Sequence, residues 1–149
     1  MSSPEMQILL ATAVEDVLET MFFSQTFGTC EPEPGATQLE ARVSYSGAKS
    51  GTVSVRISDP SARSLAASFL GESENSLDEA RIAQVVCELA NMLCGCIVTR
   101  LEAQGCFSLG APEILTSPDA PRVDSPVVQQ SFVIEGGTLT VSMSLGEPA

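Results

Sequence analysis

From Ser76 to Gly105 the chain reads SLDEARIAQVVCELANMLCGCIVTRLEAQG, one helical pattern without a break. Ile82, Val85, Val86, Leu89, Met92, Leu93, Cys96, Ile97 and Leu101 fall on one side of it and make a broad core face. A helix with such a face must bury it against another layer, which narrows the choice of fold. Ser76-x-x-Glu79 reads as a capping box at its start, and Gly105 as its stop.

What the helix packs on is read from its flanks. Near the N-terminus, Ser3-Pro4 suggests a cap followed by proline in the first turn. The stripe Leu9, Leu10, Ala13, Val14, Val17, Leu18, Met21, Phe22 then predicts an amphipathic helix. GTCEPEPGATQ reads as a Pro/Gly loop, and LEARVSYSGAKSGTVSVRISD alternates about a glycine-containing turn, as a β-hairpin does. Asp59 as cap, Pro60 in the first position and Gly71 as stop bound a short helix, followed by the polar loop GESEN. After the long helix, CFSLGAPEIL reads as a strand interrupted at Gly110 and Pro112, and TSPDAPRVDSP as a loop. VVQQSFVIEGGTLTVSMSL reads as two strands about Gly136-Gly137. The expected class is α+β, with long helices packed on a largely antiparallel sheet.

An internal echo points to two pseudo-repeated halves. VLETMFF, Val17 to Phe23, set over ELANMLC, Glu88 to Cys94, aligns Leu18 with Leu89, Met21 with Met92 and Phe22 with Leu93. The first half then carries Val17 and Thr20 where the second carries Glu88 and Asn91.

Length and composition exclude several function classes. The 149 residues suit a single domain over 1–149, and 44% apolar content is ordinary for a globular chain. A formal net charge of -12, from 19 acids against 7 bases, argues against nucleic acid or an anionic membrane surface as partner. No membrane span is expected, because no apolar run reaches roughly 18 residues. MSSPEMQILLATAVEDVLET lacks the positive start of a signal peptide. Five cysteines, an odd number, fit a reducing cytoplasm better than a disulfide framework, and all five read as small buried hydrophobes. With no histidine, His-dependent triads and Cys/His zinc sites are excluded. There is no phosphate-binding loop or dinucleotide fingerprint, so no cofactor of its own is expected.

Opposite the core face of the long helix, Arg81, Gln84, Glu88, Asn91 and Gly95 form the remaining stripe. Glu88 and Asn91, three apart, are neighbours on the solvent side. Such a pair is usually only a solvated surface. It holds no nucleophile, and two side chains alone do not hold a metal, so as chemistry it can only position something. Asn91 can orient a water through one donor and one acceptor contact, and Glu88 can pin a cation. Gly95 is costly in an exposed helix interior, by about 1 kcal/mol relative to alanine, and leaves a notch where another backbone can approach.

ELAN with a glycine four residues after its Asn resembles the Glu-x-x-Asn signature of the CheC/CheX/FliY chemotaxis phosphatases. VLETMFF is similar to the N-terminal helix of the CheX branch, and the order of elements is similar over essentially the whole chain. Gln84 stands where the CheC branch tends to have Asp or Ser, Pro112 falls slightly early, and the second Glu-x-x-Asn copy is absent. A single site per chain is what the CheX branch has. The resemblance implies hydrolysis of the aspartyl phosphate of a CheY-like response regulator, whose own Mg²⁺ serves the reaction. Asn91 would hold the attacking water in line, Glu88 would pair with the regulator's active-site lysine, and Gln84 and Gly95 would contact the partner. It also implies a homodimer formed through sheet edges, which the two hairpins leave available. The competing expectation is a non-catalytic adaptor like the related flagellar switch proteins, binding through the long helix.

Overall fold

Alternation along the two hairpins builds the centre of the molecule. The computed structural model describes residues 3–31, 38–47, 50–101, 106–115 and 128–145. Its helices are α1 (Ser3–Met21), α2 (Asp59–Leu70) and α3 (Glu79–Leu101), with a 3₁₀ turn over Glu74–Ser76. Its strands are β1 (Thr29–Cys30), β2 (Gln38–Gly47), β3 (Gly51–Ser58), β4 (Phe107–Leu109), β5 (Glu113–Leu115), β6 (Val128–Ile134) and β7 (Gly137–Leu145). They form one antiparallel sheet in the order β1-β6-β7-β3-β2-β4, with β5 also on β2. This is the expected α+β class.

Val43 opposite Val53, Val55 opposite Val141 and Ile57 opposite Leu139 set the register. Those side chains are buried, together with Ala41, Tyr45 and Met143, on the face the helices cover. Thr52, Ser54, Arg56, Thr140 and Ser142 alternate onto the other face. Hydroxyls there pair across strands, Thr52 with Ser144 and Ser131 with Thr140, each at 2.7 Å. The β6–β7 turn is the two residues Glu135-Gly136, since Ile134 pairs with Gly137. Gly136, the second residue of the turn, adopts φ +87°, in the left-handed region that glycine enters at no steric cost.

The topology agrees with two related halves. Hairpins β2–β3 and β6–β7 flank the central antiparallel β3–β7 pair, each preceded by one of the long helices, which pack on each other. Of the aligned positions, Leu18 and Leu89, and Phe22 and Leu93, are all buried, whereas Val17 is buried and Glu88 exposed, and Met21 is exposed where Met92 is half-buried.

Several expectations need correction. Helix α3 is capped by Asp78, whose Oδ1 accepts from Arg81 N at 2.8 Å, and not by Ser76, whose hydroxyl donates to Ser73 O. Leu77 and Ile82, the residues either side of the first turn, are both buried, as a hydrophobic staple requires; that staple fixes the start one step later. Ser58 rather than Asp59 precedes α2, while Pro60 and the Gly71 stop stand as expected. Thr29–Cys30 is a strand, not loop. The interrupted strand is β4 and β5, both on β2, with Gly110 N donating to Ser44 O at 2.7 Å between them. Met21 is exposed, and Met92, Cys96 and Leu101 are only half-buried. Of the five cysteines only Cys94 is buried; Cys30, Cys87 and Cys96 are half-buried and Cys106 is exposed, because they flank the core rather than point into it. By length and composition α3 is apolar enough to cross a membrane, contrary to expectation, yet half of its most apolar window is buried inside the fold. The Gly105 stop, the side chain of Ser3 and residues 32–37 and 116–127 of the two Pro-containing loops lie outside the described residues.

Candidate functional site

Helix α3 presents the polar stripe because its opposite side is fully committed. Ile82, Val85, Val86, Leu89, Leu93 and Ile97 are buried against α1 and strands β2 and β3. The steps of four, three and four from Gln84 through Glu88 and Asn91 to Gly95 keep those residues on the outer side. They span about 16 Å along the axis at 1.5 Å per residue. Gln84 and Glu88 are exposed, and Asn91 and Gly95 half-exposed, so all four expected site residues share one accessible face. Among the described residues the side chains of Glu88 and Asn91 take no hydrogen bond or ion pair. Their polar atoms therefore remain available to a partner.

Arg81, at the head of the stripe, is already engaged. Its Nη1 donates to Glu72 Oε1 at 3.0 Å, and Nη2 pairs with Oε2. That hydrogen bonding holds the Glu72 carboxyl below its ordinary value. Arg63 fixes the same loop, donating to the carbonyls of Glu74 at 3.1 Å and Leu77 at 3.3 Å.

Beside Gln84 and Glu88 runs an open groove of about 580 Å³, walled by Phe69 and Leu70 of α2, Cys87 of α3 and Ile114 of β5. Burial, and then the negative charge of Glu88, push the Cys87 thiol up, so it stays protonated and unreactive at neutral pH. The apolar wall was not foreseen. Phe69 and Ile114 are remote in sequence from α3, and only the pairing of β5 on β2 and the packing of α2 on α3 bring them there.

Among the described residues nothing demands glycine at position 95. A Cβ built there would meet only Leu109 Cδ1, at 3.8 Å, an ordinary contact. In the other half, Val17 is 6% exposed and Thr20 is exposed, so α1 offers no equivalent outward acid–amide pair. No group of three or more potential metal ligands occurs among the described residues. A carboxylate, a carboxamide and a groove can bind, orient water and match charge; they supply no electrons and no nucleophile.

The family model described as chemotaxis phosphatase CheX matches residues 39–135. No curated protein matches the chain. Among solved structures, a chemotaxis protein CheX from Vibrio vulnificus is 19% identical, with 98% of this chain and 99% of that one covered and a TM-score of 0.77. CheX from Desulfovibrio desulfuricans is 21% identical, covering 95% and 99%, with a TM-score of 0.71. The CheX–CheY–BeF3–Mg²⁺ complex from Borrelia burgdorferi contains a chain 16% identical, covering 98% and 99%, also with a TM-score of 0.71.

Proposed function

The chain belongs to the chemotaxis phosphatase CheX family, and from that premise we propose that it accelerates hydrolysis of the aspartyl phosphate of a CheY-like response regulator. The observation that carries this reading is the outward stripe of α3, with Glu88 and Asn91 accessible and without partners among the described residues. The solved complex of a Borrelia burgdorferi CheX with CheY, BeF3 and Mg²⁺ supports the same pairing of proteins.

Hydrolysis of an acyl phosphate needs an in-line water and charge stabilisation more than a covalent catalyst. The Asn91 carboxamide accepts from the water through its oxygen and donates to it through its nitrogen, fixing the direction of attack. Glu88, one turn back, pairs with the regulator's active-site lysine and sets the register. Gln84 extends the contact toward the groove, and Gly95 lets the partner's backbone approach. The regulator supplies the electrophile and its Mg²⁺, so this chain needs no cofactor. The whole of residues 1–149 acts as one domain, in the cytoplasm, where its unbridged cysteines are stable. It forms a homodimer through strand edges, for which β4, β5 and the N-terminal half of β6 are placed at the margins of the sheet.

The deciding experiment follows loss of phosphate from an acyl-phosphorylated, Mg²⁺-bound response regulator of the same genome. Wild-type protein accelerates the decay and Asn91→Ala does not. Acceleration that survives in Asn91→Ala removes the mechanism. Binding without acceleration by the wild type replaces it with the adaptor function.

A further inference from the structure

The end of α1 departs from what folding alone favours in three ways. Among the described residues Phe23 is the only one other than glycine with a positive φ, +53°, at the position that closes the helix through the bond from Ser24 N to Leu18 O at 3.0 Å. Glycine is the ordinary occupant there, and a bulky ring is strained. The fold does not bury that ring: Phe23 is 78% exposed and Phe27 62% exposed. Both line a depression of about 280 Å³ with Glu19 and Glu135. Glu19 stands near the end of α1, where the helix dipole disfavours a carboxylate and the last turn holds no basic residue to offset it. Phe27 is pinned to the sheet margin, its N–H donating to Val133 O at 2.8 Å while Val133 N–H donates to Gly28 O at 2.9 Å. Val133 is itself partly exposed.

We propose that this patch docks a basic amphipathic segment of another protein. The segment's apolar side chains lie on Phe23 and Phe27, and its lysine or arginine groups meet Glu19 and Glu135. Charge selects the occupant. The chain carries a net charge of -12 and both flanking groups are carboxylates, so a second copy or an anionic lipid surface would bring like charge to like. A cation is attracted both to the carboxylates and to the faces of the exposed rings. The patch shares no lining residue with the groove beside the α3 stripe.

Fluorescence polarisation tests this, using a labelled helical peptide of leucine and lysine, and one of leucine and glutamate in the same pattern, at physiological salt. The lysine peptide binds wild type, and the double variant Phe23→Gly/Phe27→Ser weakens it by about tenfold or more, as loss of central aromatic anchors does. Phe23→Gly puts glycine where φ is already positive, so the fold is kept, as circular dichroism will record. Glu19→Gln/Glu135→Gln also weakens binding, and the glutamate peptide does not bind. Regulator dephosphorylation is unchanged in the Phe23→Gly/Phe27→Ser protein. Equal affinity of that variant and wild type for the lysine peptide overturns the proposal. So does tight binding of the glutamate peptide, or self-association that the same variant abolishes.

Discussion

At the scale of single residues, Asn91 and Gly95 are where the proposed function can be separated from folding. Asn91 is half-exposed on a helix whose other side holds the core, and its side chain bonds to no described neighbour. Replacing it with alanine therefore changes stability by no more than about 0.5 kcal/mol, while the acceleration of regulator dephosphorylation disappears. A thermal melt beside the phosphate-release assay checks both halves of that statement. Gly95 makes the opposite test. Its Cβ space is open, so Gly95→Ala raises stability by about 1 kcal/mol, readable in urea unfolding. If the partner's backbone sits against that notch, the more stable variant is the poorer phosphatase, through a raised KM at similar kcat.

At the scale of elements, local periodicity decided what was legible. Both long helices, the short one and the two hairpins are written in spacings of 3.6 or two, and the stripe of Gln84, Glu88, Asn91 and Gly95 follows from the same wheel. Thr29–Cys30 carries no such signal; two residues become a strand only because β6 lies beside them. The wall of Phe69 and Ile114 is equally non-local. The cap of α3 was misplaced for a different reason. Two polar residues, Ser76 and Asp78, competed for one position, and the burial of Leu77 between them settled it. Asp78→Ala accordingly destabilises by about 1 kcal/mol and Ser76→Ala by much less, a contrast that chemical denaturation resolves. Where α1 meets α2, Phe22 stacks on Phe69 with ring centroids 4.9 Å apart, and Phe22 is fully buried. Phe22→Ala is expected to cost about 3–5 kcal/mol in the same measurement.

At the scale of the whole molecule, the buried seam between α3 and the sheet sets an alkaline limit. Burial pushes the Cys94 thiol up to about 12 from 9.0. Burial, and secondarily the charge of Cys94, push the Tyr45 hydroxyl to about 12 from 10.0. Both groups hold their protons more tightly folded than unfolded. Their contribution is complete below about pH 9 and is lost as pH climbs toward 12, because the unfolded chain then releases protons that the folded one retains. The urea midpoint should fall steadily across that window, and Cys94→Ala should flatten the first part of the decline.

The burial of Val17 has its own consequence, in stoichiometry. Because α1 turns that position into the core and offers no acid–amide pair outward, a chain working through the proposed Glu88–Asn91 site would treat one regulator at a time. Turnover then saturates hyperbolically with a Hill coefficient of one, and titration of regulator against chain ends at one to one.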